Sequence, residues 1–186
     1  MSTNASPLPS EVYGIFSGPI VADSISRIVN GFTTASASNV RHAHIMFHTS
    51  GGNVGDGIAL YNIFRALPFE LTLYNSGVVA SIGVIAYLGA LHRIVSRSAI
   101  FSIHRTQVVY AQGTPARRVQ TVVNAALLDD ERTEAIFRQH VTMPDELWLQ
   151  FDHDDLHFSA EESVRYGFAE QIGDFAPPPG TRIYYV

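Results

Sequence analysis

The chain contains no cysteine. Disulfide staples and thiolate chemistry are thereby excluded, so the fold must hold by packing and any nucleophile must be something other than sulfur. Basic residues are scarce as well, 12 against 17 acidic ones for a formal charge of -5, and no Lys/Arg cluster occurs. Binding to nucleic acid rests first on a basic patch, so nucleic acid is not an expected partner. A long hydrophobic run is also missing. The longest, roughly residues 77 to 91, is shorter than the about 20 residues a bilayer-spanning helix needs and is interrupted by Gly77, Gly83 and Gly89. It reads as core, with no membrane partner. Met1 to Pro7 lack the basic start and apolar stretch of a secretory signal, which leaves the cytoplasm as the expected compartment.

What is present is a chain of 186 residues, 46% hydrophobic, enough for one domain with a core of its own. The punctuation suggests a loose arm over 1–10, a single domain over 11–175 and a tail over 176–186, set off by Pro177-Pro178-Pro179-Gly180. Within the domain, Val12 to Phe16 reads as a strand and Pro19 as the opening of a helix. His42 to Phe47 is a second strand that runs into Thr49-Ser50-Gly51-Gly52-Asn53, followed by a helix that breaks at Pro68. Strand, glycine turn, helix, strand is the pattern of a parallel crossover. Strand 70–75 and a helix after Ser81 repeat it, and short strands follow at 92–95 and 99–104.

Thr114-Pro115 then starts a long helix running to about Val141, whose apolar stripe is broken by Asp129-Asp130-Glu131-Arg132. Such a helix is expected to project and to pack partly on another subunit. A short helix begins at Met143-Pro144-Asp145, residues 151 to 158 form an acidic, His-containing loop, and Ser159 with Glu162 makes a capping box. A brief strand is expected over 168–172, and Ile183 to Val186 could add to a sheet edge or to a neighbour.

Three groups fall at the carboxyl ends of strands, where ligands gather in α/β sheets. Ser81 sits at a strand-to-helix corner among Gly77, Ala80 and Gly83, beside helix N–H groups that favour negative charge. A lone serine there is ordinarily a helix cap, so a nucleophile needs a base and an oxyanion site elsewhere. Gly51 leaves a bare backbone N–H that can face a developing oxyanion, with the N–H of Ile82 as its partner. His104 ends a β run and is the best-placed base among eight histidines. His42 with His44, and His153 with His157, have spacings that metal ligands also use, but no further ligands stand in register, and neither a metal nor another cofactor is expected. Spacing does not choose an acid among Asp152, Asp154 and Asp155.

Four segments in one order resemble the proteolytic subunit (ClpP) family of Clp proteases. Thr49-Ser50-Gly51-Gly52 is similar to its S-P-G-G turn, Gly77 to Gly83 to its G-x-x-A-S-M-G segment, and Ile103-His104 to its strand-ending histidine. Asp155 to Ser163, with Tyr166 to Glu170, is similar to its D-x-x-x-S-A-x-E-A…Y-G-x-x-D block. The resemblance implies an α/β, crotonase-like fold of superhelical β-layers with flanking helices and a projecting handle helix over about 114–141. It implies a serine peptidase with nucleophile Ser81, base His104 and orienting Asp155, with Gly51 and Ile82 amides as oxyanion hole. Implied partners are peptides or unfolded proteins, further copies of the chain in a hexameric or heptameric ring that can stack, and an AAA+ unfoldase. Three departures stand out: Ser50 replaces the proline of the turn, Arg105-Thr106-Gln107 follows His104 without the family's Pro and Gly-rich strand, and Asp154 stands where the family carries a ring-contact arginine. These departures suit a second class, a non-catalytic scaffold or regulatory subunit. A crotonase-type acyl-CoA hydratase or hydrolase is a third, which would need no serine.

Overall fold

A computed structural model describes residues 9–186; most of the loose arm expected over 1–10 lies outside the described residues. Two sheets carry the fold. The larger has six strands in the order β8-β5-β3-β2-β1-β9, every pair parallel. Its strands are β1 (Glu11–Ser17), β2 (His42–His48), β3 (Glu70–Asn75), β5 (His92–Val95), β8 (Gln171–Ile172) and β9 (Ile183–Tyr185). Crossovers through α1 (Ala22–Ser36) and α2 (Val54–Arg65) link the first three. The alternation in β2 buries Ala43, Ile45 and Phe47 on one face and leaves His42, His44 and Met46 half-buried on the other. Parallel sheets usually bury both faces. Here the second face is covered only partly, with Phe175, which follows β8, lying against Tyr13 and Tyr74.

The smaller sheet, β4-β6-β7, is made of β4 (Val78–Ala80), β6 (Ile100–Ile103) and β7 (Leu156–Phe158). It is joined to the first by a bridge between Thr49 and Val79. Between β4 and β5 runs α3 (Ile82–Leu88), all seven of whose residues are buried. Such a short helix forms because it is enclosed, not because of its propensity. A β-carbon on Gly83 would meet Thr49 Cγ2 at 2.3 Å, so this helix approaches β2 only through the missing side chain.

The long helix, α4 (Ala116–His140), has 25 residues and extends about 37 Å at 1.5 Å per residue. Only Ala126, Ile136 and Phe137 of it are buried, while Leu127 and Leu128 are 56% and 55% exposed. The short α5 (Asp145–Phe151) and α6 (Ala160–Tyr166) follow; α6 carries the expected capping box of Ser159 and Glu162 and ends at Gly167 in the left-handed region.

Local expectations fail in four places, one of them β4, a separate strand between 70–75 and Ser81 that was not expected. The first helix opens at Ala22 and not at Pro19, because Ile20 is taken into backbone hydrogen bonds with Gly51 and Asn53. The acidic loop shrinks to 152–155, since α5 runs through Phe151 and β7 starts at Leu156. The last short strand is only Gln171–Ile172, because Phe168 and Ala169 turn into the core instead of alternating.

Candidate active site

Topology gathers the three candidate side chains at one edge of the small sheet. β4 and β6 are parallel, so Ser81 after β4 and His104 after β6 leave from the same edge. β7 is antiparallel to β6, with Ile103 opposite Leu156, and its starting end, which Asp155 precedes, therefore lies at that edge too. Residues far apart in the chain reach one edge of the sheet because strand direction alternates once.

Ser81 has φ 56° and ψ -135°, a backbone conformation that L side chains rarely adopt. Its amide donates to Ser102 O at 2.8 Å and its carbonyl accepts from Val84 N at 3.0 Å, which hold the strained corner in place. Gly51, at φ +100°, lies directly against it; a β-carbon there would be 3.1 Å from Ser81 Oγ. Its own amide donates to Thr49 Oγ1 at 3.0 Å, so it is engaged inside the turn. Ile82 opens α3, where amides have no intrahelical acceptor.

Ser81 and His104 line one cavity of about 300 Å³, together with Gly52, Ile82, Thr106, Gln107 and Thr133. His104 also lines a second, of about 210 Å³, shared with Arg105 and the stretch from Phe151 to Asp155. Among the described residues no hydrogen bond joins Ser81 to His104 or His104 to Asp155, and Asp155 is exposed. The imidazole Nδ1 is instead 2.7 Å from the main-chain carbonyl of Arg105. A somewhat larger cavity, about 420 Å³, lies between α1 and the β1–β9 edge and contains none of these residues.

Arg105 is the residue that sequence reading missed. Its guanidinium pairs with Glu134 of α4 at 2.7 Å and with Asp152, and lies 4.3 Å over the ring of Phe151. Burial pushes the Glu134 carboxyl upward, but hydrogen bonds from Arg105 and Arg138 outweigh it and hold the group below its ordinary range. The hydrogen bond from Arg105 likewise holds Asp152 down. Asp130, one of the acids that break the α4 stripe, accepts from Thr106 N at 2.7 Å. That break was the available signal. Thr133 carried none, since its place depends on the path of a long helix.

The other histidines are elsewhere. His42 and His44 stack at 3.9 Å on the open face of the large sheet, held by Thr72 and Tyr74, and His153 and His157 are exposed. Among the described residues no group of three His, Cys, Asp or Glu is arranged to hold a metal ion. No described helix is long and apolar enough to cross a membrane.

Comparison with known proteins decides the family. The family model described as Clp protease matches residues 9–175. The chain belongs to the Clp protease family. An ATP-dependent Clp protease proteolytic subunit of Streptococcus equi subsp. equi is 24% identical over 161 residues, covering 85% of this chain and 82% of that one. Another, from Deinococcus radiodurans, is 24% identical over 164 residues, 86% and 79% of the two chains. A ClpP1 mutant from Listeria monocytogenes superposes with TM-score 0.74 at 18% identity, over 89% of this chain and 92% of that one. The fold is therefore the α/β, crotonase-like Clp protease fold expected above, in a divergent member of the family.

Proposed function

We propose that this Clp protease family member is a serine endopeptidase that cuts peptides or unfolded proteins through an acyl-enzyme. The observation that carries the reading is Ser81, a strained serine at a strand-to-helix corner in one cavity with His104. Ser81 Oγ attacks the scissile carbonyl while His104 takes its proton and returns it to the leaving amine. The Ile82 amide receives the developing oxyanion, and the Gly51 amide joins it on leaving Thr49 Oγ1. Asp155, across the second cavity from His104, is the carboxylate of the set. Neither metal nor cofactor takes part.

Family membership and the exposed leucines of α4 support assembly into a hexameric or heptameric ring, open to stacking, that encloses the sites. An AAA+ unfoldase is the partner that would feed such a chamber, and the cytoplasm is the compartment that suits it. Fluorophosphonate labelling tests the chemistry: the probe should mark the assembled chain and fail to mark Ser81→Ala. Labelling that persists in that variant sinks the assignment. A second reading, a scaffold subunit without activity, is favoured by the missing Ser81–His104 hydrogen bond and the engaged Gly51 amide; absence of labelling in the wild-type chain selects it.

A further inference from the structure

An imidazole needs its second nitrogen fixed before the first can serve as base, and here the partner of His104 Nδ1 is a main-chain carbonyl. A carbonyl in a loop would ordinarily rotate with its peptide. This one is held. The peptide unit joining Arg105 to Thr106 is planar and trans, so its N–H and C=O point in opposite directions. Asp130 of α4 holds the N–H at 2.7 Å, which aims the C=O the other way, at the imidazole. The flanking Arg105 side chain is clamped to Glu134, also on α4, and to Asp152, and is stacked on Phe151. Two carboxylates one helical turn apart on α4 thus fix one peptide unit by both its amide and its side chain.

Resting on the serine peptidase reading, we propose that the Arg105–Thr106 peptide unit is the orienting element of the base, and that Asp130 and Arg105 are positioning residues through which α4 sets His104. An Nδ1–H that donates to the Arg105 carbonyl fixes the tautomer, with the lone pair on Nε2, the atom that must accept the serine proton. Asp155 then acts through its charge and not by holding the ring. The acidic interruption of the α4 stripe acquires a purpose. Asp130 gives up packing on that helix to hold a backbone amide beside the site.

The test uses the full-length assembled protein, a fluorogenic peptide, and nitrogen NMR of the imidazoles, with His104→Gln identifying the His104 signals. Asp130→Ala should lower kcat about 100-fold with KM little changed, as displacement of a catalytic group does, and Arg105→Gln should act in the same direction. Asp130→Asn keeps the acceptor oxygen and should recover most of the rate. In the spectra, the neutral Nδ1–H form of His104 should persist in Asp155→Asn and be lost in Asp130→Ala. Wild-type kcat in Asp130→Ala, or an Nδ1–H signal that vanishes in Asp155→Asn and survives in Asp130→Ala, overturns the proposal. The spectra do not depend on turnover, so this failure is separate from failure of the peptidase reading, which the Ser81→Ala labelling reports.

Discussion

A β-carbon on Gly51 would stand 2.5 Å from the Cβ of Ser81, closer than two such atoms ever come. The glycine turn and the Ser81 corner are therefore one packed unit. Gly51→Ala should destabilise the chain by at least about 2 kcal/mol, combining the clash with a positive φ that alanine tolerates poorly. Denaturant unfolding measures the loss, and fluorophosphonate labelling should fall with it.

The strain at Ser81 predicts opposite effects on stability and chemistry. Ser81→Gly should relieve about 1 kcal/mol of backbone strain, raising the melting temperature by about 2–4 °C for a domain of this size. Labelling and peptide cleavage should disappear in the same variant. A Ser81→Gly chain that melts lower than wild type would show that the conformation is not costly.

Stability should depend on pH through the histidine cluster. Burial, and secondarily the neighbouring His42, lower the pKa of His44 to about 4, and burial also lowers that of His42. Glu11, Glu70 and His92 face the same cluster, and Tyr13 and Tyr74 pack on it. A group whose folded pKa lies below its unfolded value binds more protons when unfolded. The contribution of His44 is thus complete above the unfolded value of 6.5 and is lost as pH falls from there toward about 4. Denaturation midpoints measured from pH 7.5 to 4.5 should decline, and His44→Phe should flatten the decline.

Leu127 and Leu128 lie side by side on α4 with over half of each exposed. Replacing both with serine should leave the monomer fold intact, since neither contributes to the core, and should shift native mass toward smaller species. An unchanged mass would place the ring contact elsewhere.

The helix cap at Ser159 is local and separable. Its hydroxyl accepts from Glu162 N while the Glu162 carboxylate accepts from Ser159 N. Ser159→Ala should cost about 1 kcal/mol, read from thermal melts, without altering any rate constant by more than the lost folded fraction.

The crossovers were legible because local signals agreed with the final fold. Alternation in His42 to Phe47, the break at Pro68, and Thr114-Pro115 before a long helix each name an element without reference to the rest of the chain. Where long-range contacts decide, the sequence was silent. Ile20 is withdrawn from the first helix by a turn some thirty residues later, and Phe168 goes inward because a core lies there. The candidate site shows the same division. His104 stands at a strand end that periodicity reveals and Ser81 at a corner its small neighbours reveal, but the three-residue β4 before Ser81 was not separable from 70–75, and the Arg105 clamp needs α4 to return past the loop at a particular height, which no spacing records. The relative placement of Asp155 follows from one antiparallel pairing, invisible until strand directions are known.

That pairing sets what the molecule can tolerate as its sequence drifts. Surface turns such as Ser96-Arg97-Ser98 have room to lengthen. One residue inserted or deleted inside β6 would instead reverse every side chain beyond it, bringing Ile103 or Arg105 to the place of the imidazole, and the same change inside β7 would bring Asp154 or Leu156 to the place of Asp155. A chain of this kind can exchange most of its letters more safely than it can change the count within those two short strands.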